Sequence, residues 1–459
     1  MRRVSRSFRA VALAGLGAVL TLLSLVPPAV AQTVTVFEHV NVIPMDTERV
    51  LQDHTVVVRD GRIAELGPAA QVRAPAGATR VDGRGKYLIP GLAEMHAHVP
   101  GTQNQAWQHT VLYLYVAAGV TTIRGMLGQP SHLELKGQVE RGEVVGPRIW
   151  TSGPSVNGTS VPTADSAVRA ATHQRSLGYD LIKIHPGLAR EPFDSLDAAA
   201  DRVGIRYAGH VPAAVGVLRA LEAGYWSIDH LDGYVEELAG RSGHPGGGWF
   251  GVQFTGEVDE SRIAELARRT REAGVWNVAT QTLMESVAQA RDLTALNARP
   301  ELRYMPPQVR QQWNTFTTNA GANLPAPDVV ARWIEVRRQL IKALQDQGAG
   351  LLLGSDAPQV WNVPGFAIHH ELEAMVAAGL TPFQALATGT WNVATYFGTT
   401  DRAGTIAVGK QADLILLDAN PLASIAHTTR RSGVMLRGVW MPQAEIQQRL
   451  DAIAAGYGT

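Results

Sequence analysis

A chain of 459 residues has room for about three domains of ordinary size, or for one large barrel with an appendage. Its 41 basic and 41 acidic residues balance, and its hydrophobic share is 45%; disorder and collagen-like repeats are excluded, and the lack of a basic excess argues against nucleic acid as a partner. Cysteine is absent, which removes disulfides, thiolate metal sites, iron–sulfur clusters and a cysteine nucleophile together, so any metal must rest on His, Asp, Glu or Lys.

At the start, Arg2, Arg3, Arg6 and Arg9 precede an apolar run from Ala10 to Val26 and the small-residue site Ala29-Val30-Ala31. That order is the order of a secretory signal peptide. The run is shorter than the roughly 20 residues of a spanning helix, so residues 1–31 are expected to be cleaved off after Ala31. Cleavage removes four Arg and no acid, and residues 32–459 hold no second apolar stretch long enough to span a bilayer. An exported protein, periplasmic or secreted, without a stable membrane anchor is expected.

From Val34 to Ile89 the pattern is short and strand-like, with Val34-Thr35-Val36-Phe37, Thr55-Val56-Val57-Val58, a turn at Asp60-Gly61, and Arg62-Ile63-Ala64-Glu65-Leu66. The far end has the same texture in Ala412–Asp418 and Val434–Gly438. Neither piece can bury a face alone. Residues 32–90 and 402–459 are therefore expected to form one small composite β-sandwich domain.

Between them, in 91–401, β-branched runs alternate with helical patterns, as a parallel sheet requires because each crossover needs a helix. Eight candidate strands end near His96, Arg124, Ser152, His185, His210, His230, Thr280 and Asp356. Helical periodicity marks Val258–Ala273 and Asp328–Gln347, the second through Val329, Trp333, Val336, Leu340 and Leu344. Eight strand–helix units predict an α/β, TIM-like (β/α)8 barrel, in which active sites gather at the C-terminal strand ends. The alternative, an open doubly wound sheet, would carry a Gly-rich loop after its first strand, and Pro90-Gly91-Leu92-Ala93-Glu94 is not one. The Pro-, Gln- and Asn-rich stretch 297–327 reads as an insertion after the seventh strand, forming a lid or rim.

His96-Ala97-His98 closes the first of these strands, and residues two apart face the same side, so both imidazoles can enter the barrel mouth. The pair alone is a weak signal. His210, His230 and Asp356 strengthen it, because each stands where a different strand stops. Lys183, in Leu181-Ile182-Lys183-Ile184-His185, faces inward on the same alternation. Burial favours a neutral amine, which can take up carbon dioxide as a carbamate and bridge two divalent ions; an inward lysine paired with an acid in a one-metal site is the plainer reading. His185 faces the mouth too, as a substrate contact or as a strand cap. His369-His370 cannot act as a pair if helical, since neighbours on a helix point apart.

These residues resemble the amidohydrolase superfamily, particularly its imidazolonepropionase-like and prolidase-like metal-dependent hydrolases. The resemblance runs through Ile89-Pro90-Gly91-Leu92, His96-Ala97-His98, Gly119-Val120-Thr121-Thr122, Gly354-Ser355-Asp356-Ala357, Gly404-Thr405-Ile406, Gly409-Lys410-Gln411-Ala412-Asp413-Leu414 and Asn420-Pro421-Leu422. It implies two divalent metal ions, most plausibly zinc, with His96 and His98 on the more buried ion, His210 and His230 on the second, Lys183 as the carbamate bridge, and Asp356 as ligand and proton shuttle. It further implies hydrolysis of amide or peptide-like C–N bonds by a metal-bridging hydroxide, on small peptides, N-acyl amino acids or cyclic amides as partners, and is compatible with a homo-oligomer. Ester or lactone hydrolysis at the same centre is the second reading, and a catalytically inactive exported barrel that binds metal or ligand is the third. One departure stands out: relatives often carry an acid after the Arg of the second strand, whereas Gly125 follows Arg124.

Overall fold

A computed structural model describes residues 34–244 and 248–458; the signal peptide expected at 1–31 lies outside the described residues. The strands are β1 (Val34–Val42), β2 (Leu51–Arg59), β3 (Arg62–Pro68), β4 (Thr79–Asp82), β5 (Tyr87–Pro90), β6 (Leu92–Ala97), β7 (Val120–Gly125) and β8 (Arg148–Thr151), followed by β9 (Leu181–Ile184), β10 (Arg206–Gly209), β11 (Ser227–Asp229), β12 (Trp276–Val278), β13 (Leu351–Leu352), β14 (Leu414–Leu417), β15 (Arg431–Leu436) and β16 (Val439–Pro442).

Strands from both ends of the chain share one eight-stranded sheet in the order β16-β15-β14-β5-β1-β2-β3, with β4 also on β1. The seam is the antiparallel pairing of β14 with β5, where Ile415 faces Ile89 and Leu416 faces Leu88. One face buries Phe37, Val56, Val58, Leu414, Leu416 and Met435 together. Both ends of the chain thus contribute to one sheet. The strands form a single sheet and not the two facing sheets of a sandwich, because β5 and β14 hydrogen-bond edge to edge where a sandwich would stack them.

β6 to β13 are the eight parallel strands. They fall into a three-stranded sheet, β6-β7-β8, and a five-stranded sheet, β13-β12-β11-β10-β9. Single contacts link the two. Ser152 bridges Leu181 and Val156 bridges Ile184 on one side, and Met95 N donates to Leu353 O at 2.8 Å on the other. Six of the eight strands end one to four residues before the expected positions, whereas β6 and β7 run one residue beyond them.

The helix Pro327–Gln347 buries Val330, Trp333, Val336, Leu340 and Leu344, and also Arg337, which the apolar stripe does not reveal. The stretch expected as an insertion is largely helical, with a helix at Pro307–Ala322. Pro306-Pro307 looks like a loop by composition, yet proline fits the first turn of a helix, where its missing N–H has no partner to lose. That helix buries Trp313 and Thr317, and Thr317 Oγ1 accepts from Trp361 Nε1 at 2.9 Å.

Candidate metal centre

The C-terminal ends of five parallel strands deliver the expected ligands to one place. β6 carries His96 and is followed by His98, β9 carries Lys183, and His210, His230 and Asp356 follow β10, β11 and β13. His230 and Asp356 adopt left-handed backbone, with φ of 66° and 68°. Side-chain-bearing residues rarely sit there, and such strain concentrates at functional sites. Here it has a plain consequence: it swings each side chain off the strand alternation and into the mouth.

Ligand atoms of His96, His230 and Asp356 lie within 4.8 Å of one another, all buried, in a group able to hold a metal ion. Lys183 Nζ is 3.2 Å from His96 Nε2, and Asp356 Oδ1 is 3.0 Å from His98 Nε2. The rings of His96 and His230 stand 4.5 Å apart, those of His210 and His230 4.6 Å, and those of His185 and His210 5.2 Å. All six expected metal-site residues therefore come together, and His185 stands at their edge on the wall of a cavity of about 410 Å³.

Three of the other ring nitrogens stand close to an oxygen, that of His96 without hydrogen-bond geometry. His96 Nδ1 lies 2.8 Å from Asp229 Oδ2, His210 Nδ1 3.0 Å from Asp232 Oδ2 and His230 Nδ1 2.9 Å from Thr280 Oγ1. Partners of this kind orient imidazoles for a metal. Arg124, fully buried, donates to both oxygens of Asp229 at 3.0 and 3.2 Å. This answers the Arg124-Gly125 departure: the acid that braces the centre comes from β11 and not from β7. Glu94 ties β6 to the Asp356 loop, accepting from His96 N at 2.9 Å and Ser355 N at 2.8 Å.

Electrostatics follow from burial. Loss of solvent pulls His98 and His185 down to about 3, and His96, His210 and His230 well below the usual histidine value, with the Lys183 ammonium adding to the effect. Burial likewise raises Asp356 to about 8 against the pull of Lys183, and lowers Lys183 to about 8 against that of Asp229. Asp229 moves the other way: burial resists ionisation, but Arg124 and Lys183 together hold its carboxyl below the usual range. Five neutral imidazoles facing one another cannot satisfy their lone pairs mutually, and Asp356 Oδ1 is buried without a hydrogen-bond partner. A donor set of neutral imidazole, carboxylate and lysine, short of a positive partner, fits divalent cations.

Asp229, Asp232, Thr280 and Glu94 escaped the sequence reading. Asp229 sits beside His230, where strict alternation would aim the two apart, and only the left-handed turn at His230 brings both to one centre. His369 and His370 are not part of it. His369 lies between Thr428 and Ala118 O, and His370 against Glu301.

Residues 87–441 match the family model of the amidohydrolase family. An adenine deaminase of Deinococcus deserti is 27% identical over 375 residues, covering 80% of this chain and 54% of that protein. An imidazolonepropionase of Mycolicibacterium smegmatis is 52% identical over 50 residues, 11% of this chain and 12% of that protein. The chain thus spans about half the length of the first relative and a short part of the second. Among solved structures, bottromycin amidohydrolase is similar with a TM-score of 0.71 at 24% identity, covering 93% of this chain and 91% of its own. A Xaa-Pro dipeptidase with bound methionine in its active site gives 0.66 at 18%, covering 89% and 100%. At these identities the two structures speak for the fold.

Proposed function

The chain belongs to the amidohydrolase family, and from that premise we propose that it is an exported metal-dependent hydrolase of amide or peptide-like C–N bonds. We read β6 to β13 as one closed (β/α)8 barrel over 91–401, with 32–90 and 402–459 as its companion domain; the contacts at both seams between the parallel sheets support that reading. The observation that carries the function is the convergence of five imidazoles, one lysine and one carboxylate from five strand ends, with Asp356 Oδ1 left without a hydrogen-bond partner.

His96, His98, His210, His230, Asp356 and a carbamate on Lys183 would hold two divalent cations, zinc by donor type. So held, they would supply Lewis acidity toward an amide carbonyl and toward water. The chain's own residues do the rest. Asp229 and Arg124 fix the ring of His96, while Asp232 and Thr280 fix those of His210 and His230. Asp356, whose Oδ1 makes no other hydrogen bond, accepts the proton of the attacking water and hands it to the departing nitrogen. His185, on the cavity wall beside His210, contacts the substrate.

Metal analysis and an amide panel test this. Protein reconstituted with zinc and bicarbonate is expected to hold two metals per chain and to hydrolyse amides, and Lys183→Ala to lose much of the second metal. One metal in both proteins would remove the bridge; an inert, metal-free wild type would remove the hydrolase.

A further inference from the structure

The cavity in front of the centre has a one-sided charge. Its walls include Trp249, Phe250 and Leu283 and, besides Asp356 of the centre, two acids, Asp232 and Glu236, but no Lys or Arg among the described residues that line it.

The two acids differ. Asp232 is engaged, bound to His210 Nδ1 and accepting from Val211 N at 3.2 Å. Glu236 is engaged only in part: backbone N–H groups of Gly233 and Glu236 reach its carboxyl, but its Oε2 is buried and has no hydrogen-bond partner. It stands on the short helix Tyr234–Leu238, whose Tyr234 and Val235 are buried, so the helix cannot roll the carboxylate out to water. The cations nearby are committed elsewhere. Arg337 donates to Gln281 Oε1, His230 O and Ala279 O, and Arg241 to Glu257 at 2.6 Å.

Glu236 also lies close to the reacting region. A Cβ on Gly251 would come within 3.1 Å of its carboxyl carbon, and the preceding residue, Phe250, sets its ring 5.2 Å from that of His230 and 6.1 Å from that of His210. Burial, with Asp232 adding to it, raises the Glu236 carboxyl to about 7 against the pull of Arg337. A carboxylate beside exposed aromatic faces is the chemistry that receives an ammonium or guanidinium group. Away from the metal centre, an anionic substrate group would find only like charge among the acids and bases of the wall, which disfavours such partners.

Resting on the amide-hydrolase reading, we propose that Glu236 receives a cationic amino or guanidinium group of the substrate, so that the preferred substrates are amides bearing a positive charge and no carboxylate near the scissile bond. Of the small peptides, N-acyl amino acids and cyclic amides that the fold admits, this selects basic or free-amine amides and disfavours N-acyl amino acids.

The test is calorimetric binding to the metal-loaded full chain of four matched ligands: norleucinamide, with an α-amine; Nα-acetyl-lysinamide, with a side-chain amine; Nα-acetyl-norleucinamide, neutral; and the α-amide of Nα-acetylglutamic acid, with a carboxylate. At least one cationic ligand is expected to bind tenfold or more tighter than the neutral one, the carboxylate most weakly, and Glu236→Gln to shrink the tenfold gap to threefold or less. Which amine wins tells whether the group is the α-amine or a side-chain cation. Charge-blind affinity, a preference for the carboxylate, or a gap that survives in Glu236→Gln overturns the proposal. Should that variant misfold by circular dichroism, Glu236→Asp, which keeps the charge but draws it back by one methylene, is expected to narrow the gap, and an unchanged gap in that variant overturns the proposal. Binding is read without turnover, so a silent amide panel sinks the hydrolase reading and charge-blind binding sinks this one.

Discussion

Two cavities of nearly equal size, about 410 and 440 Å³, lie at opposite ends of the parallel strands, and both are rich in titratable side chains. In the lower one, lined by strand starts and by the end-built sheet, the charges are matched. Lys136 Nζ donates to both oxygens of Asp180 at 2.8 Å, Arg148 reaches Gln411 Oε1 at 3.2 Å, and Asp413 accepts from Arg437 N at 2.6 Å. In the upper one, imidazoles and carboxylate oxygens converge and remain short of a partner. Volume does not tell the two apart. Unspent hydrogen-bonding capacity does, because leaving it buried costs stability that only a bound partner returns.

The sharpest way to break that comparison is to remove one converging group. His96→Ala is expected to lose metal and activity together, with turnover down by more than the roughly 10²–10³-fold that a single electrostatic donor is worth. Metal content by mass spectrometry and amide hydrolysis read it. Asp356→Asn separates holding from chemistry, since it keeps the shape and one oxygen but cannot take a proton. Near-normal metal content with turnover lowered on the order of 10²–10⁴-fold is expected. Full turnover with metal bound would move the proton to another group, with His185 next to mutate.

Much of the upper cavity was legible because strand alternation and strand ends are sequence features. His96, His98 and Lys183 obey a period of two, and His210, His230 and Asp356 each close an apolar run. What stayed hidden depends on distances that no local pattern encodes. Asp229 reaches His96 across more than a hundred residues of chain, and Glu94 reaches Ser355 across 261. The order of the end strands was hidden for the same reason: two short β regions can announce that they pair, but not that β14 joins β5 along an edge and so extends one sheet. The helix at Pro307–Ala322 inside the stretch 297–327 was not legible either, because prolines that open a helix are indistinguishable by composition from prolines that break one.

His369 sharpens the comparison from the other side. Burial brings it down to about 3, as for the mouth histidines, with Arg431 adding to the effect. Both of its nitrogens are nevertheless occupied, Nδ1 by Thr428 Oγ1 at 2.9 Å and Nε2 by Ala118 O at 3.0 Å and Arg431 Nη1 at 3.1 Å. A depressed folded-state value means that the neutral form stabilises the fold. That contribution is complete above the unfolded value of about 6.5 and is lost as pH falls toward 3. Between pH 7 and pH 5 the wild type is expected to lose ~2 kcal/mol more than His369→Gln in urea unfolding. Equal losses would mean that His369 does not titrate on unfolding.

The smallest effect belongs to the lower cavity, and it tests whether matched charges there serve anything beyond the fold. Lys136 and Asp180 are partly exposed, at 24% and 14% of side-chain surface, so water screens their attraction. Asp180 keeps a second donor, Thr151 N at 2.8 Å, when the lysine is gone. Methionine at position 136 preserves the stem that covers Trp150, whose ring lies 5.6 Å from the ammonium. Lys136→Met is therefore expected to cost about 1 kcal/mol, lowering Tm by no more than about 2–4 °C, with metal content and kcat/KM unchanged. A drop in turnover with the fold intact would show that the lower cavity communicates with the upper one, and would end the division between them.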